Sequence, residues 1–125
     1  VIFKDYIPEI FDVLALLDLL VVASCVESFG RVAVEAMSVK TAVLAVRKGA
    51  MAEIIIPGEN GFLVDSADPE VMAEAIISIR DNPEQVRKVV EKGYRLVREK
   101  YSVENQILKT EEILWECLVS KSGDG

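Results

Sequence analysis

The sequence predicts an α/β protein built on a parallel, doubly wound sheet with helices on its faces. Three observations lead there. The runs Leu19-Leu20-Val21-Val22-Ala23, Ala42-Val43-Leu44-Ala45-Val46 and Phe62-Leu63-Val64 are short, β-branched and unbroken, as strands buried on both sides are. The segments around them carry apolar residues at helical spacing. Strand, helix, strand, helix, strand in that order is the pattern of parallel strands joined by crossover helices. A chain of 125 residues with 51% apolar and 28% charged content has the make-up of one globular domain rather than of a disordered segment.

The elements follow in order. Val1-Ile2-Phe3 reads as an opening strand and Lys4-Asp5-Tyr6 as the loop after it. Ile7-Pro8 opens a helix, with Pro8 suited to the first helical position. Ile10, Leu14 and Leu17 recur at helical spacing, with Phe11 and Val13 widening the stripe. Asp18 marks the turn into the strand at 19–23. A helix then runs from the stretch at 27–35 to about Val39. On its wheel Val32, Ala33, Ala36, Met37 and Val39 face the sheet, and Arg31, Glu35 and Ser38 share the other side. The strand at 42–46 breaks at Arg47-Lys48-Gly49. Residues 52–55 read as a single helical turn, Pro57-Gly58-Glu59-Asn60-Gly61 as a turn and 62–64 as the last strand.

Only helices follow. Asp68-Pro69-Glu70 combines an N-cap, a first-turn proline and an acid that suits the helix dipole, and Val71, Met72, Ala75, Ile76 and Ile79 supply the buried face. Asn82-Pro83-Glu84 repeats the signal for a helix through Val86, Val90 and Val97 toward Lys100. Ser102 caps a final helix carrying Ile107, Leu108, Leu114 and Leu118, and residues 120–125 fray. Three or four strands make a small sheet for so many helices. The chain is therefore expected to be part of a larger unit whose first βαβ units, ~30 residues each, lie upstream.

Composition removes several functions. A net charge of −7 and a pI near 4.6 argue against a nucleic-acid grip or an anionic membrane surface. The apolar run 13–26 is interrupted by Asp18 and falls short of the ~20 residues of a bilayer span. Histidine is absent, and Cys25 and Cys117 are far apart, which argues against a zinc site or imidazole catalysis within the chain. The cysteines read as free thiols of a reducing compartment, and the expected location is cytoplasmic.

The stretch that promises chemistry is Glu27-Ser28-Phe29-Gly30-Arg31-Val32-Ala33-Val34-Glu35. It sits on a strand-to-helix turn, where ligands of parallel sheets gather and helix-start amides suit an anion. One carboxylate precedes a glycine, and a second stands about one turn into the helix. Taken alone, Glu35 reads equally as the ion-pair partner of Arg31, Glu27 as a solvated loop acid and Phe29 as ordinary core.

Ordered blocks extend this pattern. Glu27-x7-Glu35 encloses Ser-Phe-Gly and continues as Glu35-Ala36-Met37. It is followed by Ala42-Val43-Leu44-Ala45, by Glu53-Ile54-Ile55, and by Pro57-Gly58-Glu59-Asn60-Gly61-Phe62-Leu63-Val64 leading into Asp68-Pro69-Glu70. With them, residues 1–118 resemble the C-terminal, nucleotide-sugar-binding domain of retaining glycosyltransferases of the GT-B fold, family 4 or group 1, and residues 119–125 are left as a tail. The resemblance implies a Rossmann-like parallel sheet with flanking helices, the C-terminal half of a two-domain enzyme.

It also implies roles. Glu35 would accept hydrogen bonds from the ribose of a nucleotide diphosphate sugar. Glu27, the catalytic residue of the set, would hold hydroxyls of the transferred sugar near its anomeric carbon. Ser28 and the amides around Gly30, Arg31 and Val32 would face the donor, chiefly its diphosphate, and Phe29 would wall the sugar site. The sugar would pass to an acceptor with retained configuration, the leaving phosphate helping to take the acceptor's proton, without metal or cofactor. Gly58 and Gly61 are turn formers, and Glu53 either caps local backbone or orders the loop under the donor.

Two positions depart from the family pattern. Lys40-Thr41 stands where Gly-Pro is usual, and Ala50 stands where a second glycine is. The first puts a side chain where φ > 0 is often wanted, and the second adds a Cβ to a loop near the donor. The family's phosphate-gripping basic residues and its acceptor domain would lie upstream of Val1, so these residues alone are expected to be inactive. The last helix would cross to that partner domain, leaving Trp115 and Leu118 exposed here as a route to self-association. The alternatives are a GT-B epimerase or phosphorylase, whose own site residues are not found, and a binding or scaffold domain that has lost its chemistry. A flavodoxin-like or response-regulator domain lacks the required Asp at a strand end.

Overall fold

The whole arrangement hangs on one strand, β2 (Ala42–Val46), every residue of which is buried. The computed structural model describes residues 1–2, 7–24, 30–102, 107 and 109–113. In it β2 lies between β1 (Leu19–Val22) and β3 (Phe62–Val64), parallel to both. The register pairs Leu19 with Ala42 and Val22 with Ala45 on one side, and Leu44 with Phe62 on the other. Side chains alternate across the sheet. Val43 and Ala45 enter one apolar cluster with Leu14, Met37 and Met51, while Leu44 and Val46 enter a second with Met72 and Ile79. Burial on both faces is why the strand tolerates no polar residue.

Helices α1 (Ile10–Leu16), α2 (Arg31–Ser38) and α3 (Ala50–Ile54) supply the first cluster, and α4 (Pro69–Arg80) supplies the second. The long α5 (Pro83–Lys100) serves both, with Val86 against the second and Val97 in the first. Its Gly93 marks a close approach: a Cβ there would stand 2.9 Å from the Asn60 carbonyl oxygen and 3.4 Å from Met37 Cγ. Thr41, buried beyond α2, donates from Oγ1 to the Leu14 carbonyl at 2.6 Å and so ties α1 to the sheet.

Local signals act where they were read, with one twist. Asp68 caps α4 by accepting the Glu70 amide at 2.9 Å, with Pro69 in the first turn. Asn82 stands in the same place before α5 but makes no such bond; its Nδ2 donates to the Ser78 carbonyl at 2.8 Å and ties α5 back to α4. In the turn before β3, buried Asn60 accepts the Ile56 amide at 2.7 Å and donates to the Ile54 carbonyl at 2.9 Å.

Several expectations are corrected. Val1 and Ile2 are fully exposed and belong to no strand, so the described sheet has three strands; Phe3 and Lys4-Asp5-Tyr6 lie outside the described residues. The first helix begins at Ile10, after Glu9, rather than at Pro8. Leu17 has already turned extended toward β1, and Phe11 is half exposed. β1 ends at Val22, and the short helix expected at 52–55 runs from Ala50 to Ile54 because Gly49, at φ +52°, turns the chain into it earlier. Val71 and Ile76 of α4 are more than a third exposed. The buried line of α5 is Val89, Gly93 and Val97, with Val86 and Val90 half-buried. Of the final helix, Ile107 and Ile113 are helical and exposed, whereas Leu108, Leu114, Trp115 and Leu118 lie outside the described residues, as do Cys25 and Cys117.

Candidate functional site

At the carboxyl edge of the sheet the chain leaves β1 and re-enters α2 at Gly30. This residue takes a left-handed φ of +61° and caps the helix with its carbonyl, which accepts from the Ala33 and Val34 amides at 3.1 and 3.3 Å. Two constraints demand glycine. The backbone conformation disfavours a side chain, and a Cβ would stand 2.4 Å from Ile54 Cδ1, 3.4 Å from Met51 Cε and 3.5 Å from Ala50 Cβ. The turn and α3, far apart in sequence, are thus packed together, and among the described residues no side chain caps the first amides of α2. Those amides have the positive end of the helix dipole behind them, and a helix leaves such first-turn donors without an intrahelical partner.

Glu35 stands one turn further along. Arg31 Nη2 meets Glu35 Oε1 at 3.2 Å, with the arginine side chain 84% exposed and the glutamate side chain 20%. The bland reading of this pair is therefore present in the molecule, and an exposed i,i+4 pair contributes only about 0.3–0.5 kcal/mol. It engages one carboxylate oxygen; Oε2 has no partner among the described residues. Gly30, Arg31, Val32 and Glu35 are thus brought together on one helix end, with Val32 half-buried against the first cluster. Glu27, Ser28 and Phe29 lie outside the described residues.

The neighbouring strand ends add charge. Arg47, after β2, donates its amide to the Val64 carbonyl at 2.7 Å and its Nε to Asp65 Oδ1 at 2.9 Å, strapping β2 to β3, with Lys48 exposed beside it. Glu53 is exposed. Among the described residues no group of three or more metal-ligating side chains gathers. A cleft of about 530 Å³ lies elsewhere, at the start of β1, and does not include these residues.

The two departures have structural answers. Lys40 takes the left-handed conformation, φ +63°, and its ammonium lies 3.1 Å from Glu91 Oε2 and 4.7 Å from the centre of the Tyr94 ring. The hydrogen bond and charge of Lys40, with Arg95 adding a smaller share, hold the Glu91 carboxyl below the usual glutamate range. Ala50 is half-buried against the first cluster, its methyl directed at the Gly30 turn. Sequence reasoning missed the Ile54 contact under Gly30 and the Arg47–Asp65 strap. Neither has a signal in the sequence, because each contact joins segments that only the fold brings together.

A parallel sheet with a glycine-started helix at its carboxyl edge is the plan of α/β domains that receive phosphorylated ligands. Residues 1–96 match the family of glycosyl transferases group 1, and the chain belongs to it, with the fold of the C-terminal half of a GT-B enzyme. It is 35% identical over 97 residues to an uncharacterized glycosyltransferase of Methanocaldococcus jannaschii, covering 78% of this chain and 27% of that protein. It is 34% identical over 106 residues to the lipopolysaccharide core biosynthesis mannosyltransferase LpcC of Rhizobium leguminosarum bv. viciae, covering 85% and 30%. The chain thus spans under a third of the length of these relatives.

Solved structures agree. The crystal structure of the C-terminal domain of a glycosyl transferase group 1 family protein, LpcC, from Francisella tularensis superposes with a TM-score of 0.70 at 36% identity, over 82% of this chain and 53% of that one. HepE of Anabaena, solved with UDP-glucose, gives a TM-score of 0.80 at 26% identity, over 89% and 31%.

Proposed function

We propose that this chain is the donor-binding part of a retaining sugar transferase and holds a nucleotide diphosphate sugar at the start of α2. The observation that carries this reading is the Gly30 turn. It presents helix-start amides with no side-chain cap among the described residues, next to a carboxylate one helical turn away, and the similar HepE was solved with UDP-glucose. The amides at Arg31 and Val32 would receive the diphosphate, needing no histidine or metal to do so. The Glu35 oxygen without a partner among the described residues would accept from the ribose hydroxyls. Glu27 would hold the transferred sugar, Ser28 would contact the donor beside it, and Phe29 would close that site. The donor's leaving phosphate would help take the acceptor's proton.

In this reading residues 1–118 form the domain, and the acceptor wall belongs to polypeptide outside the sequence. The chain alone then lacks the opposite side of the cleft, so alignment and exclusion of water by two walls are missing and transfer is not expected from it. The test is saturation-transfer NMR with UDP, GDP, ADP and CMP on the chain and on Glu35→Ala. One diphosphate is expected to bind, and the variant to lose its ribose contacts and about tenfold or more in affinity, as for a hydrogen bond to a charged group. A folded chain that binds none of them, alone or within a longer protein that supplies the acceptor wall, would sink the reading.

A further inference from the structure

The helix starts of this chain follow one rule, and α2 breaks it. The first turns of α1, α3, α4 and α5 carry Asp12, Glu53, Glu70 and Glu84, acids that suit the positive end of a helix dipole. Among the described helices α2 alone has no acid in its first turn, and Arg31 opens it instead. A cation at that end is repelled by the dipole. The pair with Glu35 does not account for it. Nη2 meets Oε1 at 3.2 Å, but the arginine side chain stays 84% exposed, and a surface pair of this kind is weak and screened by salt. A local rule broken beside a ligand site points to the ligand as the missing partner.

That partner is an anion. Side chains of a helix lean toward its N-terminus, so an arginine at the first position has the space in front of the first amides within its sweep. A diphosphate there would meet the planar guanidinium with several oxygens, a stronger partner than one oxygen of an exposed carboxylate. It would also stand about one turn from the Glu35 charge, a like-charge approach that a cation between them relieves. We propose that Arg31 changes partner when the donor binds. Its guanidinium leaves Glu35 and pairs with the diphosphate, and the same movement frees Glu35 Oε1 beside Oε2, so that both oxygens face the ribose hydroxyls. Phosphate binding thereby opens the ribose site. This exchange rests on the donor reading above and adds the arginine side chain to it, where only backbone amides received the phosphates.

The test titrates UDP, GDP and ADP, and in parallel uridine, guanosine and adenosine, into the parent and into Arg31→Ala by NMR. For the diphosphate that binds, Arg31→Ala is expected to lose about tenfold in affinity, as for a hydrogen bond to a charged group. For the matching nucleoside it is expected to lose nothing and to gain up to about twofold, because Glu35 is released from its pair. Arg31→Lys, which keeps the charge without the planar fork, should fall between the two for the diphosphate. In the parent the Glu35 carboxyl carbon signal should move when inorganic pyrophosphate alone is added, and in Arg31→Ala it should stay still. Equal losses for nucleoside and diphosphate would mean that the arginine only shapes the helix end, and would overturn the exchange. Full diphosphate affinity in Arg31→Ala would overturn it too. A parent that binds no nucleotide, alone or within a longer protein that supplies the acceptor wall, would remove the donor site itself and the exchange with it.

Discussion

The two ends of α2 adopt nearly the same left-handed backbone, φ +61° at Gly30 and φ +63° at Lys40, and solve it in opposite ways. At the first end glycine removes the problem, and any Cβ would have to displace Ile54 Cδ1, which lies 2.4 Å from where it would stand. At the second end a lysine bears the strain, and its side chain reaches across to Glu91 and Tyr94 on α5. The difference teaches that a positive φ is a tolerance set by surroundings. Packed against another element it admits only glycine; facing solvent with a partner in reach it admits a long cation.

The comparison is broken most severely at Gly30. Gly30→Ala adds a left-handed backbone penalty to an overpacked contact, about 3 kcal/mol of lost stability in urea denaturation. Ile54→Val removes the clashing methyl, and the double variant is expected to recover about 1 kcal/mol of that cost as non-additivity. A Gly30→Ala chain as stable as the parent would mean that the turn is not built this way.

At Lys40 the effects shrink. Lys40→Gly relieves the backbone while losing an exposed pair, so it should remain close to the parent. Lys40→Ala keeps the strain and loses the pair, and should fall below Lys40→Gly by about 1 kcal/mol, the reverse of the usual order of alanine and glycine. Thermal melts of the two variants decide it. Tyr94→Leu, which removes the ring under the ammonium, should cost about 0.5 kcal/mol from this source, read as a shift in denaturation midpoint.

The smallest effect is electrostatic. Because Lys40 holds the Glu91 carboxyl below its ordinary range, the pair favours the folded state above that ordinary range and is lost as pH falls through the depressed folded value. An NMR titration of the Glu91 side chain should show the low midpoint in the parent and an upward move in Lys40→Ala. An unchanged midpoint would separate Lys40 from Glu91 in solution.

Much of this was legible in the residues, and the limits have a pattern. The bounds of β2 and β3 follow from unbroken apolar runs, because burial on both faces leaves no other pattern. The start of α4 follows from Asp68 and Pro69, because capping is local. What depends on distant cover was not legible. Ile76 reads as core but borders an open cleft, and Val1-Ile2 reads as a strand but has no described partner. Asn82 carries the same signal as Asp68 yet bonds Ser78, a choice made by the meeting of two helices. At the site, the turn and its glycine were visible, and Lys40 stood out as the residue under strain. Ile54 beneath Gly30 and Glu91 opposite Lys40 were invisible, since each contact joins segments that only the fold brings together.

α5 has a consequence for how the molecule comes apart. It seals one layer with Val97 and touches the other through Val86, and it lies so close to the turn before β3 that Gly93 has no room for a Cβ. Neither layer can open while the helix stays, and neither is sealed once it leaves. Proteolysis of the native chain should then proceed without a trimmed survivor: a cut within α5 commits the whole sheet to digestion, and the two layers disappear from the gel at the same rate.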